Sequence, residues 1–268
     1  MNNLHRELAP VSDGAWAQIE EEATRTLKRH LAGRRVVDVH GPDGFDLSAI
    51  GTGHLVEGGD GTGGTSIRLR DVQPLVELRT PFEVDRQAID DVERGAQDAD
   101  WQTVKDAAKQ LAFAEDRAIF EGSAAARIQG IRSATSNPVG VLPQDARAYP
   151  DVVTQAISAL RLAGVNGPYR AVLSADAYTA VSETRDYGYP VLEHIQRLVS
   201  DEIIWAPAIE GAFILTGRGG DFAFHLGQDV SIGYSSHTDM VVRLYLQETF
   251  TFRVLTGEAA VTLSPVVP

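Results

Sequence analysis

The longest run of helical periodicity lies between Asp100 and Gly122, where Trp101, Val104, Ala108, Leu111, Ala112, Ala118 and Ile119 recur mostly three and four residues apart. Lys105, Asp106, Lys109, Asp116 and Arg117 fall mostly outside that stripe, so the pattern predicts an amphipathic helix. Asp100 is placed to cap its first turn and Gly122 to end it in the left-handed conformation. At about 1.5 Å per residue this spine spans roughly 30 Å. Glu115 and Asp116 are adjacent on it and diverge by about 100°, so they do not form a paired acid and base. Asp116 is expected to be solvated or salt-bridged, and Glu115 to be an interface charge.

An earlier stripe of Trp16, Ile19, Ala23, Leu27 and Leu31 predicts a helix opened by Pro10 and Ser12 and stopped by Gly33. Arg34 to Val39 reads as a short strand, followed by the turn Gly41-Pro42-Asp43-Gly44. From Ser48 to Val84 a glycine-dense middle is flanked by strand patterns that include Val76, Leu78, Phe82 and Val84, which predicts a two-stranded arm. An isolated hairpin is marginal in water, so the arm is expected to lie against a neighbouring subunit. Gly59, Gly61 and Gly64 fit a dinucleotide-binding spacing, but they precede a strand and offer no helix N-terminus to a pyrophosphate.

Arg86 to Glu93 is a short helix closed by Gly95, and Ile128 to Pro143 is an irregular connector. A helix capped by Asp151 buries Val152, Val153, Ala156, Ile157 and Leu160 and ends at Gly164. Strands at Tyr169 to Leu173, Ile203 to Trp205 and Phe213 to Thr216 alternate with helices at Ala175 to Thr184 and Val191 to Val199. Between those two helices Asp186, Tyr187, Gly188, Tyr189 and Pro190 form a loop tip. Strands return at Val230 to Ile232, Val241 to Leu246, Thr249 to Leu255 and Ala259 to Leu263. The fold class is α+β, as two interleaved lobes.

With 268 residues and 43% hydrophobic content the chain supports a sizeable core. It contains no cysteine, which excludes disulfides, thiolate metal sites and cysteine nucleophiles, and fits a reducing, cytoplasmic setting. No stretch approaches the roughly 20 apolar residues that span a bilayer, and Met1 to Pro10 lacks the order of a secretory signal, so no membrane association is expected. A net charge of -13 argues against nucleic acid as a partner. Lys28, Arg29, Arg34 and Arg35 read either as a site for an acidic peptide or as a basic helix end complementing its own dipole.

The seven histidines show no metal-ligand spacing, so neither a metal nor another cofactor is expected. Ser236, His237 and Asp239 carry the letters of a catalytic triad, but residues so close in a turn seldom form the required line of hydrogen bonds. No nucleophile elbow or phosphate-binding loop is present. No catalytic residue is expected.

The order of parts resembles the HK97-type phage capsid fold. A set of stretches resembles the family 1, linocin-like encapsulin shell proteins: Leu8-Ala9-Pro10 before Trp16, Gly33 to Val39, Leu78-Arg79 with Phe82, Val92 to Gly95, Phe120-Glu121-Gly122, Gly167-Pro168-Tyr169, Arg218 to Phe222, Leu226 to Asp229, Ser231 to Tyr234 and Gln247 to Phe252. The resemblance implies a non-enzymatic shell subunit that forms a homo-oligomeric icosahedral cage of about 60 copies. It implies an N-terminal helix and strand at 1–47, an extended loop at 48–84, a peripheral domain at 85–134 joined again by 226–268, and an axial domain at 135–225. Asp186, Tyr187, Gly188, Tyr189 and Pro190 would line a pore passing small solutes.

The same resemblance implies that a cargo enzyme, of dye-decolourising peroxidase or ferritin-like type, is held by a short terminal peptide. Leu27, Leu31 and Ile232 would offer apolar pockets, with Arg34, Asp38 and Asp229 as orienting charges. The alternative is that Arg34 and Asp38 pair only with each other and the apolar residues are plain core. Some relatives bind flavin through an aromatic residue just after the extended loop, where this chain has Asp85-Arg86-Gln87. Two other readings are a phage-type coat that packages DNA and a hydrolase or bacteriocin.

Overall fold

The structure, a computed structural model, describes residues 3–60 and 62–266. Met1 of the segment read for a signal and Gly61 of the glycine pattern lie outside the described residues. Helix α1 (Asp13–His30) opens as expected, with the Ser12 hydroxyl oxygen accepting from the Ala15 N–H at 3.2 Å. Ala15, Ile19, Ala23 and Leu27 are buried, and Lys28, Arg29 and His30 complement the dipole in its last turn. The chain then enters a 3-10 turn, Gly33–Arg35, so the strand expected from Arg34 shortens to β1 (Asp38–His40). The turn is fixed from outside: the Asp116 carboxylate accepts the N–H groups of Ala32 and Gly33. A Cβ on Gly33 would stand 2.5 Å from Ile119 Cδ1 and 3.1 Å from Asp116 Oδ1, so a larger residue there would have to displace the buried Ile119 side chain.

Strands β2 (Ala49–Asp60) and β3 (Ser66–Pro74) pair antiparallel as the arm. β4 (Val76–Asp85), read from the sequence as part of the projection, instead pairs along its whole length with residues 241–250. Its alternation of Phe82 and Val84 inward is therefore that of a strand with one face on a core. α2 (Arg86–Glu93) is capped by Asp85, and α3 (Gln102–Phe120) is the predicted spine. Asp100 accepts from the Gln102 N–H at 2.9 Å, and Gly122 beyond its end has φ +90°.

The connector expected to be irregular carries short pieces of structure, namely β5 (Gly122–Ser123), β6 (Ile128–Gln129), α4 (Ile131–Ala134) and β7 (Gly140–Leu142). α5 (Tyr149–Leu162) begins earlier than expected because Pro150 occupies its first turn, which places Asp151 inside that turn and not at the cap. There follow β8 (Tyr169–Leu173), α6 (Ala175–Glu183), the hairpin strands β9 (Arg185–Asp186) and β10 (Tyr189–Pro190), α7 (Val191–Leu198), β11 (Ile203–Trp205) and β12 (Ala212–Thr216). The chain closes with β13 (Phe222–Leu226), β14 (Ser231–His237), β15 (Val241–Val254) and β16 (Ala260–Pro265). The two strands expected at 241–246 and 249–255 are thus a single strand.

Two sheets form. In one, β15 carries β4 on one edge and β14 and β13 along the other, with β1 parallel to β13. The other runs β11-β8-β12-β16-β7 and is buried on both faces: Ala171, Leu173, Ala212 and Ile214 meet α5 and its neighbours, whereas Val172, Phe213 and Leu215 face the opposite core. The spine joins two cores. Val104, Ala108, Leu111 and Ala112 pack with α1 and β4, while Ala118, Ile119 and Phe120 pack with the aromatic cluster of Phe213, Phe224, Phe250 and Phe252. Glu115 and Asp116 fall at the junction.

Candidate functional site

Glu115 and Asp116 are both fully buried and Asp116 is held by backbone N–H groups, which overturns the expectation of a solvated or salt-bridged Asp116 and an interface charge at Glu115. Asp116 closes the turn after α1, taking the Gly33 N–H at 2.8 Å and the Ala32 N–H at 3.0 Å. Burial pushes its carboxyl up to about 7, although the Gly33 and Ala32 N–H groups and the nearby Arg34 act the other way and the charge of Glu115 adds to the rise.

Arg34, presented by that turn, is the hub of a polar cluster. Its Nη2 reaches Glu115 at 2.6 Å and Glu248 at 2.9 Å, its Nη1 reaches Asp229 at 2.7 Å, and its Nε donates to both Glu115 oxygens at 2.9 Å. Burial opposes the guanidinium charge, but the hydrogen bond and charge of Glu115, with Glu248 and Asp229, outweigh it and raise the Arg34 pKa. Burial and the Glu115 charge hold the Glu248 carboxyl well above the usual carboxylate range. Its Oε1 has no hydrogen-bond partner among the described residues.

The sequence-predicted docking residues divide into two sets. Leu27, Leu31 and Ile232 come together in the cluster of α1, α3 and β14, with Leu31 only partly buried. Arg34 and Asp229 stand paired beside them, and Asp229 is the more open at 51% side-chain exposure. Asp38 is not a partner of Arg34: its carboxylate takes the Gly220 N–H at 2.6 Å, tying β1 to the Gly219-Gly220 turn. Of the alternative reading, the Arg34–Asp38 pair does not describe the geometry, whereas Leu27 and Ile232 are buried in that core cluster as it expects.

The tip from Asp186 to Pro190 is a tight hairpin in the register Tyr189 to Asp186, with Tyr187 and Gly188 at φ 46° and 88°. The Tyr187 side chain is 99% exposed. On the arm, Val56, Ile67 and Leu69 on one face and Leu55 and Val72 on the other are all exposed, apolar side chains left uncovered by the described residues.

Ser236, His237 and Asp239 form no relay; the His237 ring nitrogen instead meets the Tyr234 hydroxyl at 2.6 Å. Asp85-Arg86-Gln87 starts α2, with Asp85 accepting the Gln87 N–H at 2.8 Å. Among the described residues no group of three or more His, Asp or Glu could hold a metal ion, and no helix is long and apolar enough to cross a membrane. Sequence reasoning missed the buried acids, although signals existed. Glu115 stands four residues from both Leu111 and Ile119, on the apolar stripe, and Glu248 shares the parity of Leu246, Phe250 and Phe252.

Compared with known structures, the chain is similar to the virus-like particle from Pyrococcus furiosus, with a TM-score of 0.66 and 15% identity over 93% of this chain and 99% of that one. The fold is accordingly of the HK97-type capsid class. Residues 1–251 match the Linocin_M18 family, described as "Encapsulating protein for peroxidase". The type 1 encapsulin shell proteins of Rhodococcus erythropolis and Mycobacterium tuberculosis are each 62% identical to it over 264 residues, 98% of this chain and all of theirs. The chain belongs to this encapsulin shell family.

Proposed function

We propose that the chain is a structural shell subunit that assembles with copies of itself into a closed, capsid-like compartment enclosing a cargo enzyme. The observation that carries this is the arm: β2 and β3 expose apolar side chains that the described residues leave uncovered, in a member of a shell-protein family. A neighbouring copy is the natural cover. The reading takes 48–84 as the extended loop between an N-terminal element (1–47) and a peripheral domain (85–134 and 226–268), with 135–225 as the axial domain. An icosahedron of about 60 copies is the smallest closed cage of this symmetry. The hairpin at Asp186 to Pro190 lines a passage for small solutes, and the setting is the cytoplasm.

The family description names a peroxidase as the enclosed protein, which favours peroxidase over ferritin-like cargo. Leu27, Leu31 and Ile232 receive apolar side chains of the cargo's terminal peptide, and Asp229 orients it from the rim. Arg34 acts mainly by fixing Asp229, and Asp38 contributes through the Gly219-Gly220 turn. Size-exclusion chromatography and negative-stain microscopy of the purified protein test the shell, with uniform hollow particles expected and a monomer or small oligomer overturning the reading. Co-expression with a peroxidase bearing its terminal peptide tests the docking residues. Asp229→Ala and Leu31→Glu should form normal particles with reduced cargo, and undiminished loading would move the site elsewhere.

A further inference from the structure

Between α1 and α3 runs an open groove of about 470 Å³ whose chemistry the shell reading does not use. One wall is the α1 stripe Glu22, Arg25, Thr26, Arg29 and His30, the other the α3 stripe Gln102, Lys105, Asp106 and Lys109, and Trp205 closes one end. Each wall is one helix face, because the residues follow one another at three- and four-residue spacing. Of the two acids in the groove, Glu22 pairs with Arg25, whereas Asp106 accepts from the neutral Gln102 amide and keeps its charge, so Arg29, Lys105 and Lys109 outnumber it and leave a net positive groove. Among the described residues no carboxylate pairs with Arg29, Lys105 or Lys109, although the chain as a whole carries a net charge of -13.

The helix dipole explains Arg29, at the C-terminal end of α1, but not the lysines. Lys105 lies at the start of α3, where the positive end of the dipole disfavours a cation. Unpaired positive charge is thus held where its own helix opposes it. Two aromatic rings line it, His30 and Trp205, 5.7 Å apart; behind them Phe113 lies 5.8 Å from His30 and 5.3 Å from the Lys109 ammonium.

We infer that this groove binds an extended acidic peptide segment of another protein, with acidic residues at alternate positions facing the lysines and an apolar side chain on Trp205. The spacing supports it. Lys105 and Lys109 are one helical turn apart, about 6 Å, and alternate residues of an extended chain are separated by roughly 6.8 Å. The groove is also open along its length, which suits a chain segment better than an enclosed small molecule.

The probe is a short fluorescein-labelled peptide of alternating Glu and Ala with one Phe, titrated by anisotropy onto the purified protein in its own assembly state. The expected result is saturable binding that weakens as salt rises and loses about tenfold or more in Lys105→Gln/Lys109→Gln. A Lys-for-Glu version of the peptide should not bind. Both lysines lie on the surface, and circular dichroism confirms that the double variant is folded. Absence of saturable binding, or equal binding by the variant, overturns the inference. Displacement of the peptide by ADP or inorganic phosphate at comparable concentration also overturns it and assigns the groove to phosphates.

Discussion

Arg34 faces three carboxylates, Glu115, Glu248 and Asp229, and burial of the neighbouring acids raises the carboxyls of Asp116 and Glu248. Asp116, pushed up to about 7 by burial, binds its proton more tightly in the folded chain than in the unfolded one, where its value is 3.8. Between those values the native state holds more protons than the unfolded state, so stability falls as pH rises through that window and levels off above about 7. Glu248, raised by its burial and the Glu115 charge, contributes a loss of the same sign as it ionises. The expected outcome is a thermal midpoint higher near pH 5 than near pH 8, with Asp116 supplying up to about 1.4 kcal/mol per pH unit. Calorimetry across that range checks it, and Asp116→Asn should flatten the dependence. A midpoint that rises steadily with pH would show that Asp116 is ionised throughout. Removing Arg34 is a different event, because it strands Glu115 and Glu248 in the interior at about 3–5 kcal/mol. Arg34→Ala therefore tests folding, and Asp229→Ala is the cleaner probe of docking.

At the level of elements, the arm separates folding from association. β2 and β3 pair with each other, while every core cluster is built from other parts of the chain. Deleting 58–64 should leave the circular-dichroism spectrum and the melting of the isolated subunit nearly unchanged while abolishing particles on a sizing column. Normal particles from the shortened chain would place the main contacts elsewhere. The boundaries of α1, α2 and α3 were legible in the sequence because caps and apolar stripes are local signals. The end of the arm was not. β4 has the alternation of any strand, and only its distant partner β15 shows that it belongs to a core sheet. β15 itself reads as two strands because Gln247 and Glu248 resemble a polar break, yet both are fully buried within it. The candidate site was legible in part: Leu27 and Leu31 follow from the apolar stripe of α1, whereas Ile232 and the acids that claim Arg34 come from segments far apart in the chain.

For the whole molecule, the order of helix, arm, spine, α+β lobe and return sheet was readable, since helices and strands carry different periods. How copies fit together depends instead on surface and charge. Each chain carries a net charge of -13, so copies brought together in a closed assembly repel one another overall, and apolar contacts such as those of the arm must outweigh that repulsion. Repulsion between exposed charges is screened by salt, the screening length falling from about 30 Å at 0.01 M to about 10 Å at 0.1 M, whereas apolar contact does not weaken over that range. Particles should therefore resist dissociation better at the higher ionic strength. Light scattering during a urea titration at the two salt concentrations measures it, with the midpoint of particle loss expected to move to higher urea at 0.1 M. Movement to lower urea would mean that ion pairs between subunits, and not the apolar arm, dominate the seams.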